Sequence, residues 1–203
     1  MNFNKINLFS LDVFTAVLSD IDNELVAMEI EEFSGGIPQI KDPSPSHTFY
    51  EDRYYPFEKP ECKKLLKAIC VAVNLIVGKK MTIESIWTLT LEHGQSVVGH
   101  THKVNNHLYP EDYYSISYYV DAPEGSAELI FITHHCNTIE KTMSIKPQTG
   151  LLTIFNSYIH HMTNRHYGDK KRIVISANFR PHKENLTISP DWSGYTVPDS
   201  LRG

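Results

Sequence analysis

The residues best suited to chemistry are three histidines and an arginine in the second half of the chain. His100 and His102 lie two apart in one strand-like run, and His161 and Arg172 follow in later runs of the same kind. Because side chains i and i+2 of a strand project from one face, the pair can bind one ion, with His161 supplied by a distant strand. Imidazole suits iron, zinc, copper and nickel. Arg172 is placed to pair with the carboxylate of a bound cosubstrate, so the pattern predicts a metalloenzyme.

Composition and charge restrict the classes of protein that the chain can form. Its 203 residues, 41% of them hydrophobic, are enough for one ordinary domain core. A net charge of −5 gives no general attraction to nucleic acid or to an anionic membrane, which leaves nucleic acid only as a locally bound substrate. Three cysteines without a CxxC pair favour a reduced protein. With no apolar stretch long enough to span a bilayer and no signal-peptide core, we expect a soluble, cytoplasmic protein.

The first 82 residues are predicted to form a support of helices and loops. Capping residues and helical spacing of apolar side chains mark two helices, and four prolines between them oppose regular structure. The predicted elements are an opening strand near 7–14, a helix from 19 to about 32, a loop over 37–58 and a helix from Pro60 to Gly78.

From residue 83 onward the pattern changes to short runs rich in Thr, Val, Ile and Tyr. The predicted strands are 85–92, 97–102, 113–120, 127–132, 142–145, 151–155, 160–163 and 172–180. This order predicts a mainly β fold with flanking helices, a double-stranded β-helix of the jelly-roll or cupin-like type. We expect a single domain, 1–203, with its jelly-roll core at 83–181. The tail, 182–203, contains Trp192 and Tyr195 and is a candidate to pack on the barrel or to contact a second subunit of a homodimer.

Several sequence blocks occur in a distinctive order. They are Trp87–Leu91, Gly94 leading to His100-Thr101-His102, Ser115–Val120, Ala122-Pro123-Glu124, Gly150–Ser157, His160-His161 and Arg172–Phe179. In order and spacing these blocks resemble a group of 2-oxoglutarate- and iron(II)-dependent oxygenases, over roughly residues 6 to 181. The combination carries the resemblance, because no single block is specific.

The resemblance implies a cofactor set and a reaction. Iron(II) would be held at the open end of the barrel by His100, His102 and His161, leaving places for 2-oxoglutarate and O2. The matched block assigns the distal ligand to His161, and His160 would face the other way on an extended segment. Arg172 would bind the far carboxylate of 2-oxoglutarate. The enzyme would convert 2-oxoglutarate to succinate and CO2 while hydroxylating an unidentified substrate.

Three further residues are placed by strand alternation. Ser176 shares the face of Arg172, which makes its hydroxyl a candidate contact of the cosubstrate. In the run 113–120, Tyr118 belongs to the more apolar face, so we expect it to point inward and to contact 2-oxoglutarate as well. Asn178 has the same parity as Ser176 and is expected to satisfy backbone groups of the barrel.

One departure from the wider superfamily leaves the ligand set and the reaction open. Most 2-oxoglutarate oxygenases use two histidines and one carboxylate, whereas His102 stands where the carboxylate would be expected. A carboxylate from Glu111, Asp112 or Glu128 could replace one histidine. The same histidines also suit a three-histidine iron dioxygenase that takes no 2-oxoglutarate, or a barrel that binds a metal or ligand without turnover. The segment 103–112, which directly follows His102, is predicted to be a loop over the site.

Overall fold

The chain is described by a computed structural model that covers residues 3–8, 11–34, 46–49, 57–102, 112–135 and 139–182. The elements in these ranges are β1 (Phe3–Leu8), β2 (Leu11–Val17), α1 (Asn23–Ser34), β3 (Ser46–Phe49), α2 (Pro60–Val77), β4 (Met81–Leu91), β5 (Tyr114–Asp121), β6 (Leu129–His135), β7 (Ile139–Ile145), β8 (Leu151–Asn156), β9 (His160–Thr163) and β10 (Arg172–Pro181).

Two antiparallel sheets form the body of the molecule. The larger sheet has the order β1-β2-β8-β5-β10-β4-β3, and the smaller one has the order β7-β6-β9. Their facing side chains pack together: Val13 and Phe155 of the larger sheet join Leu129, Phe131 and Ile145 of the smaller one in a buried cluster. This arrangement is the predicted jelly-roll, so the fold class is confirmed.

The larger sheet is covered on both sides. On β5, Ile116 and Tyr118 pack into a core shared with α1 and α2, on what we call the helix face. Ser117 points the opposite way, toward the smaller sheet, on what we call the cleft face. Both faces are covered, so most residues of the central strands β5 and β10 are buried on either face.

The two helices cap each other. The carboxylate of Glu29 on α1 accepts hydrogen bonds from the backbone N–H groups of Glu61 (3.2 Å) and Cys62 (2.7 Å) at the start of α2. The carboxylate of Glu61 in turn accepts the N–H of Asp22 at 3.0 Å, just before α1, and this bond lowers the pKa of Glu61. Free N–H groups at helix starts need such partners, so the pair of glutamates fixes one helix against the other.

Most predicted elements are present, with informative exceptions. The second helix begins at Pro60 and β9 spans 160–163, as predicted. The predicted strand 97–102 occurs as a paired segment with one bridge, from His100 to His161. The loop expected over 37–58 is wrong at β3, which pairs with β4; residues 37–45 and 50–56 lie outside the described residues.

The predicted boundary of the core at residue 83 is too late. β2, from the N-terminal part of the chain, pairs with β8 from Val13 to Val17 and joins the larger sheet. Tail residues beyond 182 lie outside the described part of the chain. Neither α1 nor α2, the helices within the described ranges, has the length and hydropathy to cross a membrane.

Candidate active site

Three imidazoles converge at one end of the cleft between the sheets. The candidate ligand atoms of His100, His102 and His161 all lie within 4.8 Å of one another. Backbone pairing brings them together: His100 and His161 exchange two N–H to carbonyl hydrogen bonds of 3.0 Å, and the N–H of His102 donates to the carbonyl of Ser157 at 3.0 Å. The i, i+2 geometry expected for His100 and His102 is therefore combined with a strand pair that adds the third ring.

Local hydrogen bonds orient two of the rings. Nδ1 of His100 lies 2.8 Å from the carbonyl of Val98, and Nδ1 of His161 lies 2.8 Å from the carbonyl of Ile159. A carbonyl only accepts, so each Nδ1 carries the hydrogen and each Nε2 keeps its lone pair. Nε2 of His102 lies 3.2 Å from Nε2 of His161. Lone pairs directed at one point are what a metal ion requires of its ligands.

Burial keeps the rings in the form that binds metal. It lowers the pKa of His102 to about 3, with the nearby His161 and His100 adding to the effect. Burial also lowers the pKa of His161 to about 4, although the hydrogen bond to Ile159 opposes the shift. Both imidazoles are uncharged at neutral pH, which makes them ready to bind a metal without first losing a proton.

No carboxylate belongs to the cluster, as far as the described residues go. Asp112 is paired with Lys79 instead. Glu128, whose N–H donates to the side chain of Asn164, is not a member of the histidine group. Glu111 and the predicted overhanging loop, 103–111, lie outside the described residues. Within the described residues, the donors of this cluster are therefore the three imidazoles.

His160 turns away from the cluster, as strand alternation predicts. Its ring lies against Gly99, where an added Cβ would come within 2.9 Å of Cε1 and Nε2 of His160. Any larger residue at 99 would have to displace this ring. Gly99 thus lets His160 pack on the chain just before His100, while His161 is the buried member of the pair.

Arg172 lines the same cleft as the three histidines. Arg172 is 2% exposed, and its Nε and Nη1 have no hydrogen-bond partner among the residues that the structure describes. The guanidinium lies 5.0 Å from the ring centre of Tyr119, and burial lowers the pKa of Arg172. A buried cation without an acceptor is costly unless an anion occupies the site. A carboxylate would satisfy these unpaired N–H groups.

Two hydroxyls beside Arg172 were missed by the sequence analysis. Tyr119 and Thr153 are fully buried, and neither hydroxyl has a hydrogen-bond partner within the described structure. Burial raises the pKa of Tyr119, and the neighbouring Arg172 partly opposes it. Tyr119 is two residues after Ser117 and projects from the same face of β5, and Thr153 of β8 lies directly opposite Ser117. A search for hydroxyls of one parity on neighbouring strands would have found them.

The expectation for Tyr118 is wrong. Its hydroxyl donates to Oδ1 of Asn23 at 2.7 Å, at the start of α1, so it lies on the helix face. The prediction took the more apolar parity as the inward one. Because both faces of the sheet are covered, the more apolar set of alternate residues marks the helix face, and Tyr119 is the tyrosine on the cleft face, packed against Leu89 and Val174.

Ser176 and Asn178 lie on the cleft face of β10. Ser176 is 7% exposed and lines the cleft, in register between Trp87 and Ser117. Its contact with a cosubstrate stays a prediction. Asn178 differs from expectation because its amide bonds to side chains: Oδ1 accepts from Ser115 (2.8 Å) and Nδ2 donates to Ser85 (3.0 Å).

Solved structures of low sequence identity share the fold. The carbocyclase SnoK from nogalamycin biosynthesis is 13% identical with a TM-score of 0.65, over 88% of this chain and 87% of that one. HygX from Streptomyces hygroscopicus, with nickel and 2-oxoglutarate bound, is 14% identical with a TM-score of 0.62, over 94% and 89%. A prolyl-4-hydroxylase of Pseudomonas putida is 14% identical with a TM-score of 0.57, over 89% and 93%. No curated protein sequence matches the chain.

A family model adds sequence evidence to this likeness of fold. The model described as "Putative 2OG-Fe(II) oxygenase" matches residues 85–178, the segment from β4 to β10 that contains the three histidines and Arg172. Members of this family use Fe(II), 2-oxoglutarate and O2. The matched segment and the shared fold support an enzyme of the 2-oxoglutarate- and Fe(II)-dependent oxygenase family.

Proposed function

We propose that the protein is a dioxygenase that hydroxylates a substrate while converting 2-oxoglutarate to succinate and CO2. His100, His102 and His161 bind the iron, and Arg172 binds the far carboxylate of 2-oxoglutarate. One observation carries the proposal: a buried guanidinium with unpaired N–H groups lines the same cleft as three converging imidazoles. A dicarboxylate that binds a metal at one end needs metal ligands at that end and a cation at the other, and the imidazoles and the guanidinium supply these.

The histidines act as fixed donors. Nδ1–H bonds from His100 and His161 to backbone carbonyls hold each ring in the orientation that directs Nε2 inward. The ring of His102 lies 5.4 Å from that of Trp87 and 6.5 Å from that of Phe155, which restrict its rotation. Iron(II), when bound, supplies the redox chemistry that activates O2.

Arg172 orients the cosubstrate. Its planar fork can bind both oxygens of a carboxylate, and the free hydroxyls of Tyr119 and Thr153 are further donors nearby. Apolar side chains line the cleft between these groups and the histidines, among them Leu89 and Val174. By excluding water they strengthen the interaction between the guanidinium and a carboxylate.

Two of the structural neighbours support the proposal by analogy. The HygX structure holds nickel together with 2-oxoglutarate, and the Pseudomonas putida neighbour is a prolyl-4-hydroxylase. Hydroxylation is thus compatible with this fold. The substrate of the present enzyme is left unassigned.

The proposal is tested by following labelled 2-oxoglutarate. Purified protein loaded with Fe(II) is incubated in air with 2-oxoglutarate labelled with ¹³C, and the formation of succinate is measured by NMR. We expect succinate that requires Fe(II), O2 and an intact His161, with slow uncoupled turnover when no substrate is added. Consumption of O2 without any need for 2-oxoglutarate would favour a three-histidine dioxygenase. Binding of metal without consumption of O2 or 2-oxoglutarate would favour a barrel that is not catalytic.

A further inference from the structure

A chain of hydrogen-bonded side chains crosses the larger sheet on its cleft face. Nδ2 of Asn178 on β10 donates to the hydroxyl of Ser85 on β4 at 3.0 Å, and Oδ1 of Asn178 lies 2.8 Å from the hydroxyl of Ser115 on β5. The Ser115 hydroxyl also lies 2.8 Å from that of Ser157, in the turn after β8. Ser115 and Ser157 are each 1% exposed. Polar side chains thus link three strands and a turn.

The amide of Asn178 fixes the direction of these bonds. Because its Nδ2 is the donor to Ser85, its Oδ1 is an acceptor, and the single hydrogen of the Ser115 hydroxyl points to it. Ser115 then offers only a lone pair to Ser157, so the hydroxyl of Ser157 donates to Ser115. Each hydroxyl of the chain has a defined partner. A satisfied polar network of this kind makes the parts that carry it rigid in one arrangement.

Ser157 connects this chain to one of the proposed metal ligands. Its backbone carbonyl accepts the N–H of His102 at 3.0 Å, and its own N–H donates to the carbonyl of Tyr113, just before β5, at 2.9 Å. His100 and His161 are joined to each other by two backbone bonds. The position of His102 relative to that pair therefore depends on where the carbonyl of Ser157 lies.

We propose that Ser115, Ser157 and Asn178 are positioning residues for the metal. Their hydrogen-bond chain holds the carbonyl of Ser157, and through it the backbone of His102, so that the His102 ring converges with the other two imidazoles. The three residues act through His102 and not on the metal itself. A functional constellation has to be held within about 0.5 Å of its productive geometry, and a connected polar chain supplies that rigidity. The inference rests on the proposed function, because it takes the three histidines as the metal ligands.

Tyr118 provides a matched control for Ser115, because both lie on β5 and each hydroxyl donates to an asparagine. The hydroxyl of Ser115 donates to Oδ1 of Asn178 at 2.8 Å, on the cleft face. The hydroxyl of Tyr118 donates to Oδ1 of Asn23 at 2.7 Å, on the helix face. Ser115→Ala and Tyr118→Phe thus remove equivalent buried hydrogen bonds from opposite faces of one strand.

The experiment titrates Co²⁺ into metal-free protein in the absence of O2 and records the visible absorption bands of the bound ion. These bands report the geometry of the ligands, so they respond to the position of His102 and not to stability alone. We expect Ser115→Ala to weaken Co²⁺ binding by about tenfold, as is typical when a partner of a metal ligand is lost, and to change the bands. Tyr118→Phe should match the wild-type protein in both. Circular dichroism confirms that each variant is folded.

Wild-type affinity and bands in Ser115→Ala would overturn the inference, and so would an equal loss of affinity in Ser115→Ala and Tyr118→Phe. Should Ser115→Ala fail to fold, Ser157→Ala decides by the same comparison, since it leaves Ser115 paired with Asn178. A wild-type protein that does not bind Co²⁺, or that binds it equally well after His161→Ala, contradicts the proposed function itself. If Co²⁺ binding requires His161 but is insensitive to Ser115, only the inference fails.

Discussion

Two adjacent tyrosines on β5 contrast the two faces of the larger sheet. Tyr118 and Tyr119 are both fully buried. On the helix face the hydroxyl of Tyr118 donates to Asn23, whereas on the cleft face the hydroxyl of Tyr119 has no partner within the described structure. Thr153 and Arg172, beside Tyr119, also have unpaired polar atoms. Buried polar groups are normally satisfied, so the face that lacks partners is the one shaped for a ligand.

The largest expected effect comes from removing one of the proposed metal ligands, on the cleft side. His161→Ala should lose most of the bound iron and all turnover, because an open site of three ligands cannot hold the metal with two. The fold should persist, as shown by circular dichroism. Metal content is measured by mass spectrometry after dialysis.

His160→Ala is the matched control, since His160 is the neighbour that turns away from the cluster. This variant should retain its iron. Iron lost from His160→Ala and retained by His161→Ala would reverse the assignment of the ligand.

The next effect separates stability from function at Arg172. Arg172→Met should stabilise the ligand-free protein by about 1 kcal/mol or more, since an apolar side chain replaces a buried charge whose Nε and Nη1 have no hydrogen-bond acceptor within the described residues. Unfolding by urea, followed by tryptophan fluorescence, measures the change. A clear loss of stability would mean that Arg172 has a structural partner on the cleft face.

Smaller effects are expected at the two tyrosines: one substitution should lower stability, and the other should weaken 2-oxoglutarate binding. Tyr118→Phe should lower the free energy of unfolding by about 1–3 kcal/mol, because it leaves Asn23 unsatisfied, with no change in 2-oxoglutarate affinity. Tyr119→Phe should leave stability within about 0.5 kcal/mol and weaken 2-oxoglutarate binding by about tenfold. Both quantities are measured on both variants by urea unfolding and anaerobic titration. Identical behaviour of the two would remove the distinction between the faces.

Much of the fold is predictable because it follows from local rules. Helical spacing after Pro60 predicts α2, and strand alternation places His100 with His102 and sets His160 apart from His161. The predictions that are wrong concern features that depend on long-range contacts. β3 is held by its pairing with β4, which no local pattern shows. Which alternate residues of β5 face the cleft depends on what covers each face of the sheet. The apolar pattern alone therefore favours Tyr118, whereas in the structure Tyr119 lies on the cleft face.

The most direct test of 2-oxoglutarate binding between the histidines and Arg172 is an anaerobic titration. 2-Oxoglutarate is added to iron-loaded wild-type protein, Arg172→Ala and Arg172→Lys, and the metal-to-ligand charge-transfer band is followed. Loss of the guanidinium leaves a carboxylate unpaired in a partly dry cleft, so affinity should fall by about tenfold or more in Arg172→Ala. Lysine should restore part of it, because an ammonium lacks the planar fork. Iron content should be unchanged. An affinity in Arg172→Ala equal to that of the wild-type protein would contradict the role of Arg172 and favour a three-histidine dioxygenase.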